Sequence, residues 1–136
     1  MARPAAIDPS ATNQIGIAER RVVTVAVATA IDALQRSILG WADGVGLRGG
    51  TFHTDYGSPW ITQLSNSRFA QDVTVNGTVL WGADRSLDAD LVVSGSGTAG
   101  GSLHVEGAWQ ALGPVGNFKV TGTLGGKQVS LLVPEA

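Results

Sequence analysis

Cysteine is absent from the 136 residues. Its absence excludes disulfides, thiolate metal sites and cysteine nucleophiles, and it leaves the redox compartment open, because a domain of this length can fold without staples. Basic residues are sparse: nine Lys and Arg against eleven Asp and Glu give a net charge of −2, with Arg20-Arg21 as the one adjacent pair. Nothing in that distribution forms a footprint for a phosphate backbone, so nucleic acid is not an expected partner. Long apolar runs are lacking too. The stretch from Val22 to Ala30, preceded by Glu19-Arg20-Arg21, imitates a signal peptide, but it follows a long leading segment and is read as part of a folded helix. Asp32, Gln35 and Arg36 interrupt it well short of the ~20 residues a bilayer requires, so no membrane span is expected. With 15% charged and 43% hydrophobic residues, the chain is too apolar to remain disordered.

Glycine, by contrast, is abundant, at 19 residues. Four stretches repeat the pattern apolar-x-Val-x-Gly: Val73 to Val79, Leu91 to Gly97, Leu103 to Trp109 and Phe118 to Leu124. Each reads as one β-strand. Side chains alternate faces along a strand, so Val75, Val93, Val105 and Val120 and the repeat glycines fall on one face, the core. The other face carries Thr74, Asn76, Thr78, Ser94, Ser96, His104, Glu106, Gln110, Lys119, Thr121 and Thr123. Asn76-Gly77 is a strong hairpin signal. Continuity is preferred, because it keeps Val73, Val75, Val79 and Trp81 on one face and the same glycine recurs without Asn in the other copies. Interior glycines weaken a strand unless the space is used. They predict either a shallow trough for Trp81, Trp109 or a helix stripe, or the bends that curl a sheet.

Residues 1–16, with Pro4, Pro9 and Asn13, read as a flexible arm or linker, and residues 17–136 as one domain. Val23, Val27, Ile31, Leu34, Ile38 and Trp41 recur at helical spacing and predict a helix over about residues 18–39 that packs by this stripe. Leu47 to Tyr56 reads as a first strand, Trp60 to Leu64 as a second with a turn at Ser65-Asn66-Ser67, Phe69 to Trp81 as a third, and Val129 to Val133 as the last. The fold expected is mainly β: an antiparallel sheet of about seven strands curled into a sandwich or barrel, with the helix packed on it. The edges of an open sheet could pair between copies, so a homo-oligomer is one expectation for its assembly.

His53-Thr54-Asp55-Tyr56 places an imidazole, a carboxylate and a phenol within four residues. On a strand, His53 and Asp55 point the same way, and Asp55 can orient the ring. A small enzyme built on His53, Asp55 and Tyr56 would still need a nucleophile, for which Ser58 is the local candidate; the bland reading is a strand end whose Asp55 and Ser58 bond turn amides. His104 and Glu106 repeat the i, i+2 arrangement. Two ligands from one strand do not make a metal site, and a third would have to come from a neighbour such as Asp90, so no metal and no cofactor are expected. Asp84, Asp88, Asp90 and Glu106 are the acids that paired-carboxylate chemistry would have to bring together. No glycine-rich segment has the lysine-bearing spacing of a phosphate loop. Of the tryptophans, Trp41, Trp81 and Trp109 fall on apolar faces and read as core, leaving Trp60 as the candidate for stacking on a ligand together with His104 and Glu106.

The segments Gly44-Val45-Gly46-Leu47-Arg48-Gly49-Gly50-Thr51-Phe52, Phe118 to Lys127 and Leu132-Val133-Pro134-Glu135-Ala136 resemble the C-terminal part of secreted actinobacterial α/β-hydrolases, the tripeptidyl-aminopeptidase-like serine peptidases and esterases. The similarity covers residues from about 19 to the end. The catalytic serine of that family sits in a Gly-x-Ser-x-Gly elbow, which this chain lacks, so no catalytic residue carries over. The resemblance implies a non-catalytic accessory domain, secreted or at the cell surface, whose partner is a hydrolase domain or another protein subunit. From the residues alone, a free-standing β module binding a saccharide or small apolar molecule stands as the alternative.

Overall fold

The computed structural model describes residues 15–82, 84–95, 98–109 and 116–133. The expected arm lies outside these apart from its last two residues, as do Ser96, Gly97, Gln110, the connection at 113–115, residues 134–136 and the side chain of Trp109.

Among the described residues, one helix, α1 (Ile17–Ile38), is followed by eight strands: β1 (Asp43–Val45), β2 (Thr51–Asp55), β3 (Trp60–Ser67), β4 (Val73–Trp81), β5 (Ser86–Gly95), β6 (Thr98–Trp109), β7 (Gly116–Leu124) and β8 (Lys127–Val133). They form a single antiparallel meander in sequence order, with β1 and β8 as the outermost of the described strands. The sheet does not close into a barrel, and the second layer is the helix rather than another sheet. Strands at ~4.8 Å spacing make the sheet about 34 Å wide, close to the ~33 Å length of a 22-residue helix.

The helix uses that match to cross the strands. Near its start, the Glu19 carboxylate accepts from the Gly16 N–H at 3.0 Å and pairs with Lys127 of β8 at 2.9 Å. Two residues on, Arg21 forms a bidentate pair with Asp72, just before β4, at 2.8 and 2.9 Å. Near its end, Arg36 donates to the Val45 carbonyl in β1, and Ser37 meets Thr54 in β2. Its body packs on β3 to β6. The inward side chains of β7 and β8, Phe118, Val120, Leu124, Val129 and Val133, are buried as well, so the far end of the sheet curls over the core.

The alternation is borne out: Val75, Val93, Val105 and Val120 are each at most 2% exposed. β4 runs unbroken through Asn76-Gly77. The repeat glycines do not line up as a trough. In register across β3 to β8, Leu64, Gly77, Leu91, Leu103, Gly122 and Val129 form one row, so bulky residues stand between the glycines. Gly77 and Gly122 have φ of +144° and +138°, and a Cβ on either would lie 2.1 Å from the carbonyl oxygen of Asp90 or Ser102 on the next strand. Glycine is required there because neighbouring backbones close in as the sheet curls. Gly95 differs: a Cβ there would press on Val22 of α1, so at this position the space is taken by the helix.

Three expectations about individual segments need correction. The segment Leu47 to Tyr56 is not one strand, because Gly49 and Gly50 take φ of +125° and +74° and fold a turn between β1 and β2. Ser65-Asn66-Ser67 is not a turn but a bulge inside β3, where the register against β4 shifts. Asn66 has φ +50°, and the Asn76 side chain satisfies it, accepting from the Asn66 N–H at 2.9 Å and donating to the Asn66 side-chain oxygen at 3.1 Å. Ile38 and Trp41 do not extend the buried stripe of Val23, Val27, Ile31 and Leu34: they are 40% and 59% exposed. The helix stops at Ile38, and Gly40 at φ +96° turns the chain, so the helical phase that would carry Trp41 to the sheet ends too early.

A chain of buried hydroxyls joins helix to sheet. Ser37 donates to the Ala33 carbonyl at 2.8 Å, Ser37 and Thr54 lie 2.6 Å apart, and Thr54 and Thr62 lie 2.7 Å apart. Ser37 spends its proton on Ala33, so Thr54 donates to Ser37 and Thr62 to Thr54.

Candidate functional site

Two regions bring polar or aromatic groups together: the outer face of the sheet and the end of the fold where α1 stops. Both histidines of the chain point outward on the first.

Alternation along β2 puts His53 and Asp55 on the same side, as expected, and pairing with β1 sets Asp43 directly across from His53. The ring is held from both ends, Nδ1 to Asp43 at 2.7 Å and Nε2 to Asp55 at 3.2 Å. The bond to Asp43, then that to Asp55, raises the pKa of His53 above its ordinary 6.5. With both nitrogens engaged and its proton held, this imidazole is ill suited to act as a base. Tyr56 does not join the pair: its hydroxyl donates to the Ser37 carbonyl at 2.7 Å, at the end of the helix. The side chains of His53, Asp55 and Asp43 are 49%, 72% and 79% exposed, on an open face.

His104 is set among more acids. Register pairs Asp90 with His104 and Asp88 with Glu106, so two residues of β5 and two of β6 form a square. Nδ1 of His104 bonds Asp90 at 2.8 Å; Nε2 lies 3.4 Å from Asp88 and 3.6 Å from Glu106. The Asp90 bond is the largest cause of a raised His104 pKa, opposed by partial burial and supported by the charges of Asp88, Asp90 and Glu106. The fourth expected acid, Asp84, stands apart, accepting from the Ser86 N–H and hydroxyl at 3.0 and 2.6 Å, and the hydroxyl bond lowers its pKa.

At the helix end, Trp60 is half-buried between two aromatic neighbours. Its ring meets Tyr56 edge-on at 4.3 Å and Trp81 at 4.4 Å, with interplanar angles of 84° and 86°. Trp81 is buried, as its place in the alternation predicted. Beside them Ile38, Ser58, Pro59 and Arg85 line an open cleft of about 580 Å³, within the usual size range for a small-molecule site. Ile38, Leu39, Trp41 and Tyr56 are 40%, 76%, 59% and 43% exposed, so this end of the molecule is apolar.

Asp43 is a site residue that sequence spacing had not singled out. Its signal would have been the turn between it and His53, since the pairing across that turn sets the two opposite each other. No helix among the described residues is long and apolar enough to cross a membrane. No protein-family model, no curated protein and no solved structure matches this chain.

Proposed function

We propose that this chain is a non-catalytic interaction domain that docks on an extracytoplasmic α/β-hydrolase domain through the apolar end of its fold. The observation that carries this reading is the exposure of Leu39 and Trp41, large apolar side chains that follow α1 and that folding leaves unburied. Association would cover this patch, the usual reason for a folded domain to keep one. The resemblance to the C-terminal region of tripeptidyl-aminopeptidase-like hydrolases supplies the kind of partner, and the held, open-faced His53 fits a chain that does no hydrolysis by itself.

The test is to mix the chain with the hydrolase domain of such a peptidase and measure association by titration calorimetry. Binding that Leu39→Asp and Trp41→Asp each weaken at least tenfold is the expected result. Absence of association overturns the docking, and peptide or ester turnover by the isolated chain that vanishes in His53→Ala overturns the non-catalytic role.

The cleft at Trp60 favours a second reading, a module that takes a saccharide or small apolar molecule against the indole, with Arg85 at the rim. Titration with glycan and fatty-acid panels would then change tryptophan fluorescence in the native chain and leave Trp60→Ala silent. Flat titrations remove that reading.

A further inference from the structure

We infer that Asp88, His104 and Glu106, with Asp90 as the support of the ring, form a binding site for a divalent transition-metal ion of the zinc class on the outer face of β5 and β6. The sequence spacing offers only two ligands on one strand, too few for a metal. Antiparallel pairing supplies the rest, since it sets Asp88 across from Glu106 and Asp90 across from His104.

Nε2 of His104 stands 3.4 Å from an Asp88 oxygen and 3.6 Å from a Glu106 oxygen. Two donors that share a tetrahedral ion at ~2.1 Å lie about 3.4 Å apart, so each of these two carboxylates stands near coordination spacing from Nε2. Nδ1 meanwhile bonds Asp90 at 2.8 Å. A carboxylate on the far ring nitrogen fixes the tautomer that leaves Nε2 free to bind a metal, the usual support of a histidine ligand.

Charge points the same way. Like charges directly opposite in a ladder destabilise the pair, and Asp88 and Glu106 are such a pair. Three carboxylates face one imidazole, which can offset at most one of them, and Lys119 stands in register across from Glu106 on β7, at one edge of the square. A divalent cation would neutralise the excess and tie β5 to β6. An open depression beside Asp88, Glu106 and Lys119 gives an ion access from solvent. An imidazole donor argues for zinc-like ions over calcium or magnesium, which prefer oxygen.

The other histidine provides an internal control. Asp43 and Asp55 grip His53 from opposite ends of the ring, so their oxygens diverge and cannot share one ion with it.

The experiment is titration of the untagged full chain with Zn²⁺, and separately with Ca²⁺, by calorimetry, with the two histidine rings followed by NMR. Zn²⁺ is expected to bind one to one and shift the His104 ring resonances but not those of His53, while Ca²⁺ binds at least tenfold more weakly. His104→Ala should abolish binding, Asp90→Asn should weaken it roughly 10–100-fold through the lost ring support, and His53→Ala should leave it unchanged. Asp90→Asn keeps the shape of the side chain, so it tests the site even if His104→Ala does not fold. No Zn²⁺ binding, binding that survives His104→Ala in a folded protein, or a response at His53 would each overturn the site.

Discussion

Replacing Thr54 by valine tests the directed hydroxyl chain that joins α1 to β2 and β3. Thr54 and Thr62 are 2% and 0% exposed, and Ser37 is 1% exposed, so water cannot replace a lost partner. Without the Thr54 hydroxyl, the Thr62 proton has no acceptor in the chain, which costs about 1–3 kcal/mol for a stranded buried donor. Ser37 loses one donor to its oxygen but keeps its own bond to Ala33, a loss of about 1 kcal/mol. The methyl group that replaces the hydroxyl returns about 0.8 kcal/mol by burial. Thr54→Val should therefore destabilise by about 2 kcal/mol in urea unfolding, with an unchanged denaturant slope. The informative comparison is Ser37→Ala, Thr54→Val and Thr62→Val combined. Removing every member of a buried polar chain leaves nothing stranded, so the triple variant should be less destabilised than Thr54→Val alone. Single-variant costs that simply add up in the triple variant, or a Thr54→Val cost below about 0.5 kcal/mol, would refute the directed chain.

Gly122→Ala, at φ +138° and against the Ser102 carbonyl, should cost more than about 2 kcal/mol, whereas Gly126→Ala, also at positive φ but with open space around it, should cost about 1 kcal/mol; equal costs in chemical denaturation would show that strand proximity is not what demands glycine. The raised pKa of His53 stabilises the fold while the ring is protonated: that contribution is complete below the unfolded value near 6.5 and is lost as pH rises through the folded value. The groups facing the ring are Asp43 on β1 and Asp55 on β2, with neutral Gln63 across on β3. Unfolding measured from pH 6 to 9 should therefore show a decline that His53→Gln reduces, and an NMR titration of the His53 ring at or below pH 6.5 would contradict it.

Much of the fold was legible because period-2 alternation needs no knowledge of partners. Val73, Val75, Val79 and Trp81 announce a continuous strand despite Asn76-Gly77, and the side-chain amide of Asn76 turns out to serve the bulge at Asn66 instead of a hairpin. The errors fall where local preference met a tertiary answer. Ser65-Asn66-Ser67 has turn chemistry, but β4 alongside absorbs it as a bulge. Trp41 continues the helical spacing on paper, yet Gly40 ends the phase and leaves the indole outside. The pairing of His53 with Asp55 was readable within one strand, whereas Asp43, and the square of Asp88, Asp90, His104 and Glu106, depend on which strand lies beside which.

By itself the sequence determined the class of the protein and the inward face of its repeat strands, because burial of valine and exposure of threonine follow from alternation along a single chain. Only the tertiary structure decided the open eight-strand meander, the crossing of α1 over it, the glycine contacts at Gly77 and Gly122, and the carboxylates gathered around His104. Those depend on register between strands, and register comes from the packing of the whole sheet against its helix, which no local spacing encodes.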